Sequence, residues 1–355
     1  YNKYNFNLIA IDEAQNIKNP NAGITKAVKD LKADIKLALT GTPIENNILE
    51  LWSIFDFIMP GYLASKDKFQ KIYNVKDMDS EKNSLDKLNT QIKYFILRRK
   101  KKDVVKDLPE KIENNIYIDL GQKQKEIYAA EVQKTKDSLN EMVREEGFTK
   151  AKFKILQLLT KLREICVDPS LVYENYKGGS AKIEELLRIV EETKANGHKM
   201  LIFTTYKKAL DMIIPKLNNI GVSSYYIDGS VPSKKRMELV DKFNSDDTDV
   251  FIITLKAGGT GLNLTSATVV IHLDLWWNPQ VENQATDRAH RIGQKNKVEV
   301  IRLITKGTIE ERILELQNKK RKLADMLIDG EGHSENEFSK LTEDDIKMLL
   351  SMDKN

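Results

Sequence analysis

Three stretches of this 355-residue chain carry residues suited to phosphate chemistry. Gln284-Ala285-Thr286-Asp287-Arg288-Ala289-His290-Arg291-Ile292-Gly293-Gln294 puts Gln284, Arg288 and Arg291 at i, i+4 and i+7, so a helix there would align an amide and two guanidiniums on one face. A guanidinium is always charged, and its planar fork of donors suits negative charge spreading over phosphoryl oxygens. A solvated amphipathic helix with ordinary surface arginines is the plain alternative, and spacing alone does not choose. Asp12-Glu13-Ala14-Gln15 follows the apolar run Phe6–Ile11. One carboxylate of such a pair can hold Mg²⁺ on a nucleotide and the next can orient or activate water, although acidic strand ends are common. In Thr254–Leu264, the glycines let backbone N–H groups approach phosphates or a ribose closely, while Thr254, Lys256 and Thr260 offer phosphate contacts.

The elements that must position these groups follow from periodicity. Phe6–Ile11 reads as a buried parallel strand delivering carboxylates at its C-terminal end, where ligand chemistry in open α/β sheets sits. A second strand, Ile35–Leu39, runs into Thr40-Gly41-Thr42-Pro43, a tight turn with exposed hydroxyls. A helical insertion is expected over about 46–92, with Leu49, Leu51, Trp52, Ile54, Phe55 and Ile58 as its apolar stripe. Phe95–Val105 sets the basic run Arg98–Lys102 beside an apolar strand, fit for phosphate binding or for an ion-pair brace. Ile112–Leu120 alternates as a strand. Gln122 to Cys166 predicts two long helices broken at Gly147, closed by Asp168-Pro169. Lys177–Ser180 is the linker, with Ser180 as cap of the next helix.

From there strand and helix alternate: strands at Met200–Phe203, Ser223–Ile227, Val250–Ile253, Thr268–Leu273 and Val298–Ile304, with helices at Lys182–Lys194, Lys207–Leu217, Ser233–Phe243, Pro279–His290 and Thr308–Leu327. That pattern is an α/β fold, a parallel sheet covered by helices on both faces. The tail after Gly330 is acidic, with a short helix expected at Glu343–Met352.

Composition narrows the classes. Lys+Arg 57 against Asp+Glu 53 gives a net charge of +4, so total charge does not demand a nucleic-acid partner, and local basic stretches matter more. A single cysteine, Cys166, excludes an internal disulfide and a cysteine-based zinc site; core packing is its expected role. No apolar stretch is long enough to span a bilayer and no signal peptide is evident, so the chain reads as intracellular, cytoplasmic or nucleoid-associated if bacterial.

Taken together, Asp12–Asn19, Leu39–Asn47, Phe95–Pro109, Leu162–Leu171, Thr254–Leu264 and Asp274–Gln294 resemble, in order, the motifs of the SWI/SNF-type ATPases of helicase superfamily two. Asp287–Gln294 is the most specific of these stretches. The resemblance implies a RecA-like second lobe, preceded by a first RecA-like lobe with helical insertions. It further implies ATP and Mg²⁺ bound between the lobes and translocation on duplex DNA through mainly sequence-independent backbone contacts. Asp12, with Mg²⁺ held through ATP, and Glu13 are then the carboxylates of motif II. Arg288 and Arg291 match the arginine fingers of motif VI, and Gly258, Gly259, Gly261 and Asn263 match motif V at the nucleotide, with Gln15 and Gln294 also placed there. Thr40 and Thr42 belong to motif III, which couples the ATP site to DNA; Thr254, Lys256 and Thr260 are candidate DNA contacts. Arg98, Arg99 and Lys102 resemble the basic linker between lobes.

Two positions depart from the family. Gln15 stands where eukaryotic remodellers typically have histidine, although an amide can still hydrogen-bond across the cleft. Trp276-Trp277-Asn278-Pro279 carries an extra aromatic, for which packing between lobes is favoured over stacking on a base or serving as a wedge; Trp277 is the candidate should it contact DNA. No G-x-x-x-x-G-K-[ST] loop occurs. The expectation is therefore a C-terminal portion cut inside the first lobe: residues 1–111 as the rest of that lobe, 112–176 as a helical protrusion of the second, 177–329 as the second lobe and 330–355 as the tail. Such a piece is expected to be inactive alone and to expose a sheet edge. A non-catalytic DNA- or protein-binding module is the alternative.

Overall fold

The computed structural model describes residues 3–40, 48–73, 87–97, 99, 105, 108–146, 148–255, 257, 261–328 and 349. The chain divides into two compact units, Tyr1–Arg99 with Asn318–Thr342, and Lys100–Gln317 with Glu343–Asn355.

In the first unit, β1 (Asn5–Ile11) pairs in parallel with β2 (Lys32–Ala38), with Leu8 opposite Ile35 and Ala10 opposite Leu37. Helices α1 (Gly23–Lys29), α2 (Ile48–Ile58) and α3 (Lys66–Tyr73) belong to this unit. Residues 87–92 are also helical. The α2 stripe does what its spacing predicts: Leu51, Trp52 and Phe55 pack with Leu63, Phe69, Leu88 and Ile92 in one cluster. Two expectations fail. β1 is not a buried strand, because side chains alternate across a sheet and one face is open: Leu8 is 51% exposed and Ile35 53%. Residues 93–95 turn and 96–97 are irregular, so the described part of Phe95–Val105 contains no strand. Arg98 and Lys102 lie outside the described residues, as does the tail helix except Leu349.

The second unit is built on six parallel strands in the order β3-β8-β7-β4-β6-β5. They are β3 (Lys111–Ile118), β4 (Met200–Thr204), β5 (Ser224–Ile227), β6 (Val250–Thr254), β7 (Val269–His272) and β8 (Val298–Thr305). The apolar runs of β4, β6 and β7 are buried throughout because both faces are covered. Met200, Ile202, Val250, Ile252 and Ile271 pack with α6 (Ala181–Ala195) and α7 (Lys207–Asn219). Leu201, Phe203, Phe251, Ile253 and Val270 pack in a second cluster with α8 (Ser233–Ser245) and with Ala285 of α9 (Pro279–Thr286). β3 is an edge strand, and its exposed Glu113, Asn114 and Asn115 guard that edge with polar side chains.

The two long helices are α4 (Gln122–Glu146) and α5 (Phe148–Val167), which contribute Tyr128 and Val132, and Leu159, Leu162, Ile165 and Cys166, to the interior. Asp168 caps the turn after α5, and Ser180 caps α6 through Ile183 N–H at 3.4 Å. Burial pushes the Cys166 thiol up to about 12, in keeping with a packing role. The ends of β7 and β8 are clamped by an ion pair with no exposed surface. Lys182 Nζ donates to Glu310 of α10 (Ile309–Ile328) at 2.5 Å and to the carbonyls of Leu273 and Leu303, each at 3.1 Å. Glu310 in turn accepts from Thr305 N–H at 2.9 Å.

Candidate nucleotide and nucleic-acid site

The carboxylates lie where β1 ends. Asp12 is exposed and its Oδ1 accepts Glu13 N–H at 2.8 Å. Glu13 has φ 51° and ψ 52°, the left-handed region that a non-glycine residue adopts only when its surroundings enforce it. The end of β2 enforces it. Leu39 N–H donates to Ile11 O at 2.8 Å, Ala14 N–H donates to Leu39 O at 2.9 Å, and a 3-10 turn starts at Ala14. The Glu13 carboxylate is then held by Gln15, whose Nε2 donates to Oε2 at 2.5 Å. Thr40 Oγ1 donates to Gln15 Oε1 at 2.7 Å. Gln15 and Thr40 therefore form one chain behind Glu13, joining the ends of β1 and β2. Thr42 lies outside the described residues.

These groups suit magnesium brought in on a nucleotide. A hard cation takes carboxylate oxygen, and Mg²⁺ is ordinarily held by one or two carboxylates with phosphates and water. Among the described residues no three His, Cys, Asp or Glu converge on a metal-binding position. Asp12, exposed at a strand end, is a donor of the kind that chemistry needs.

The arginines are placed differently from the sequence expectation. α9 begins as predicted, with Asn278 Oδ1 accepting Gln280 N–H at 3.0 Å and Pro279 in the first turn. It ends at Thr286, not His290. Beyond it the backbone tightens to bonds from Arg288 N–H to Ala285 O and from Ala289 N–H to Thr286 O, both 3.1 Å. Gln284, Arg288 and Arg291 therefore share no regular helical face. The cause is long-range: Leu264 N–H donates to Arg288 O at 3.0 Å, and Arg291 Nη1 to Leu262 O at 3.3 Å, which fastens the turn to the glycine-rich loop. Both arginines are half-buried, so the solvated-helix alternative does not hold. Gly293, at φ 101°, makes the reversal.

Gln294 corrects another expectation. Its Nε2 donates to Thr265 O and Ala267 O at 3.0 Å and to Ala289 O at 3.2 Å, and its Oε1 accepts Lys295 and Asn296 N–H at 2.9 Å. The amide is a clasp for the loop and is occupied by backbone, not poised for a nucleotide. Thr254 is buried at the end of β6, in register with Thr204, rather than displayed for phosphate. Gly261, at φ 34°, and Asn263 are exposed on the loop. Lys256, Gly258, Gly259 and Thr260 lie outside the described residues.

Between β7 and α9, the loop Asp274–Asn278 holds Trp277 half-buried. Glu282 fixes the loop from α9: its Oε1 accepts Trp276 N–H at 2.8 Å and Gln317 Nε2 at 2.7 Å, and its Oε2 accepts Arg302 Nε at 3.3 Å. Burial pushes the Glu282 carboxyl up, while Trp276 N–H, Arg302 and Gln317 pull it down. His272, on β7, meets Thr286 Oγ1 at 3.0 Å at the point where α9 ends. Burial, with Arg302 nearby, lowers its pKa to about 3, so it is a neutral packing group.

Sequence reasoning took in Arg163 only within the motif stretch Leu162–Leu171 and gave it no role. It stands in the apolar stripe Leu159, Leu162, Ile165 and Cys166 of α5 and is 1% exposed. An arginine inside a buried helical face was the available signal.

The SNF2-related domain family matches residues 1–171 and the helicase conserved C-terminal domain family residues 181–293. An uncharacterized ATP-dependent helicase of Mycoplasma genitalium is 44% identical over 90% of the chain and 30% of that relative. The SWI/SNF-related matrix-associated actin-dependent regulator of chromatin subfamily A member 1 of Mus musculus is 35% identical over 99% of the chain and 34% of that protein. The chain thus spans about a third of the length of the curated relatives it matches. The Sulfolobus solfataricus SWI2/SNF2 ATPase core in complex with dsDNA is 36% identical, with a TM-score of 0.55 over 99% of this chain and 74% of that one.

Proposed function

The chain belongs to the SNF2-related family of helicase-like ATPases, and from that premise we propose that it is part of an intracellular motor that hydrolyses ATP to translocate on duplex DNA. Asp12 binds the Mg²⁺ that accompanies ATP, and Glu13 orients or activates the attacking water. Arg288 and Arg291 stabilise charge on the transferred phosphoryl group. Mg²⁺, when bound, supplies charge neutralisation on the phosphate oxygens. Gln15 holds the Glu13 carboxylate toward its task and links it to Thr40, so that the strand end carrying the proposed DNA-coupling turn and the strand end carrying the water-activating group move together. Gly261 and Asn263 belong to the loop that meets the nucleotide. Trp277 contacts DNA, mainly as a stacking or wedging surface alongside sequence-independent phosphate contacts.

The observation that carries this reading is the arginine turn. Two half-buried arginines are fastened to a glycine-rich loop, Arg288 through its backbone carbonyl and Arg291 through its guanidinium, an arrangement that surface solubility does not require and that suits charge stabilisation. An arginine finger contributes about 10³ to 10⁵ in rate in related phosphoryl-transfer systems. In the full-length protein Arg291→Ala should therefore abolish DNA-stimulated turnover while sparing most of the affinity for ATP. Near-normal hydrolysis by that variant, measured by phosphate release beside nucleotide binding, would remove the assignment.

A further inference from the structure

Arg163 reaches from α5 into the loops that follow β4 and β7. One guanidinium nitrogen, Nη2, donates to Asp274 Oδ2 at 3.1 Å, to Thr205 Oγ1 at 3.4 Å and to Leu275 O. Asp274, with no exposed surface, also accepts Thr204 Oγ1 at 2.7 Å and Thr205 N–H at 2.9 Å. The guanidinium carbon lies 5.5 Å from the ring centroid of Tyr206, 5.1 Å from Trp276 and 5.0 Å from Trp277. Its Nε, buried, has no hydrogen-bond partner among the described residues.

Removing a cation from water is costly, and a hydrophobic residue of similar size often serves a core as well as a buried ion pair does. Core packing therefore does not explain this residue. Its planar face does: a guanidinium stacks on aromatic rings while its edge donates, which an ammonium cannot do. The Trp276 backbone is already fixed on both sides, its N–H by Glu282 at 2.8 Å and its carbonyl by Gln317 Nε2 at 2.5 Å. Arg163 adds the constraint on the neighbouring ring. The arginine turn, by contrast, is anchored through Leu262, Leu264 and Gln294, none of which is a hydrogen-bond partner of Arg163.

We propose that Arg163 is a positioning residue that holds Trp277 in place for duplex DNA, so that DNA-dependent stimulation requires it and basal hydrolysis does not. This rests on the ATPase reading above. In the full-length protein, Arg163→Lys keeps the charge and loses the stacking face and fork. Hydrolysis titrated with duplex DNA should show the half-maximal DNA concentration raised about tenfold, the order of one lost base-stacking contact. Basal hydrolysis should stay within about twofold, since neither Arg288 nor Arg291 is a hydrogen-bond partner of Arg163.

A purely structural role would lower basal and stimulated rates together, and that result overturns the proposal, as does an unshifted DNA titration. Should Arg163→Lys fail to fold, Thr205→Val decides. It keeps the Arg163–Asp274 pair while removing one hydroxyl, and should shift the DNA titration about two- to threefold in the same direction; no shift overturns the proposal. A parent protein without DNA stimulation overturns the ATPase reading itself, whereas a stimulated parent with unshifted variants overturns only the role of Arg163.

Discussion

The carboxylates at the end of β1 rest on two strands with one half-exposed face, whereas the arginine turn rests on a six-stranded sheet whose central members are fully buried. The first set is held by a short chain of side-chain bonds, Asp12 to its neighbour, Glu13 to Gln15 and Gln15 to Thr40, which ties only the ends of β1 and β2. The second is held by contacts that cross the unit, from Leu264 to Arg288 and from Gln294 to Thr265 and Ala267. A half-open two-stranded base suits a site that must rearrange around a ligand; a fully covered sheet suits a preorganised electrostatic group. The comparison teaches where stability and activity separate. A substitution behind the arginines disturbs a whole core, and one beside the carboxylates disturbs a turn.

The largest expected difference between the two units is in their ion pairs. Glu310→Gln breaks a pair with no exposed surface and leaves the Lys182 ammonium without its carboxylate, at a cost of about 3–5 kcal/mol. Asp56→Asn breaks the Lys29 pair of the first unit, whose side chains are 17% and 27% exposed, at a cost of about 1 kcal/mol or less. Chemical denaturation of both variants checks the ranking, and equal costs would break the comparison.

A smaller effect is expected from pH. Unfolded, His272 titrates near 6.5; folded, it resists protonation down to about 3. Its folded pKa is depressed, so its contribution is complete above pH 6.5 and is lost as pH falls from there toward 3. The slope approaches about 1.4 kcal/mol per pH unit when the unfolded chain holds one more proton than the folded one. His272→Phe should flatten the stability profile between pH 6.5 and 5, measured by denaturant midpoints; an unchanged slope would mean that the histidine is not buried neutral.

The smallest effect belongs to the open face of β1 and β2. Ile35 is 53% exposed, so Ile35→Ser in this chain should change unfolding stability by no more than about 0.5 kcal/mol. A loss of about 2 kcal/mol or more would show that the face is covered.

Much of the second unit was legible because its signals are local. Apolar runs such as Val250–Thr254 between polar helices read directly as covered parallel strands, and the cap at Ser180 was visible as a single residue. What failed depended on distant partners. Periodicity extended α9 through Arg288 and Arg291 because nothing in their spacing reveals that Leu264 and Leu262 bind the following turn. β1 read as buried because its composition is that of a covered strand, while coverage depends on what packs against it. Gln294 looked available as a ligand group until its backbone partners were in view. Arg163 carried a signal in its own helix, a charge within a buried stripe, but its meaning lay more than a hundred residues away at Asp274.

The most direct test compares ATP hydrolysis by the full-length protein and its Glu13→Gln variant, with Mg²⁺, in the presence and absence of duplex DNA. Hydrolysis by the parent should rise with DNA, and the variant should lose at least about 10²-fold of it, the lower range for a positioned acid–base group, while still binding ATP. A parent indifferent to DNA, or a variant that hydrolyses ATP as fast as the parent, would contradict the account.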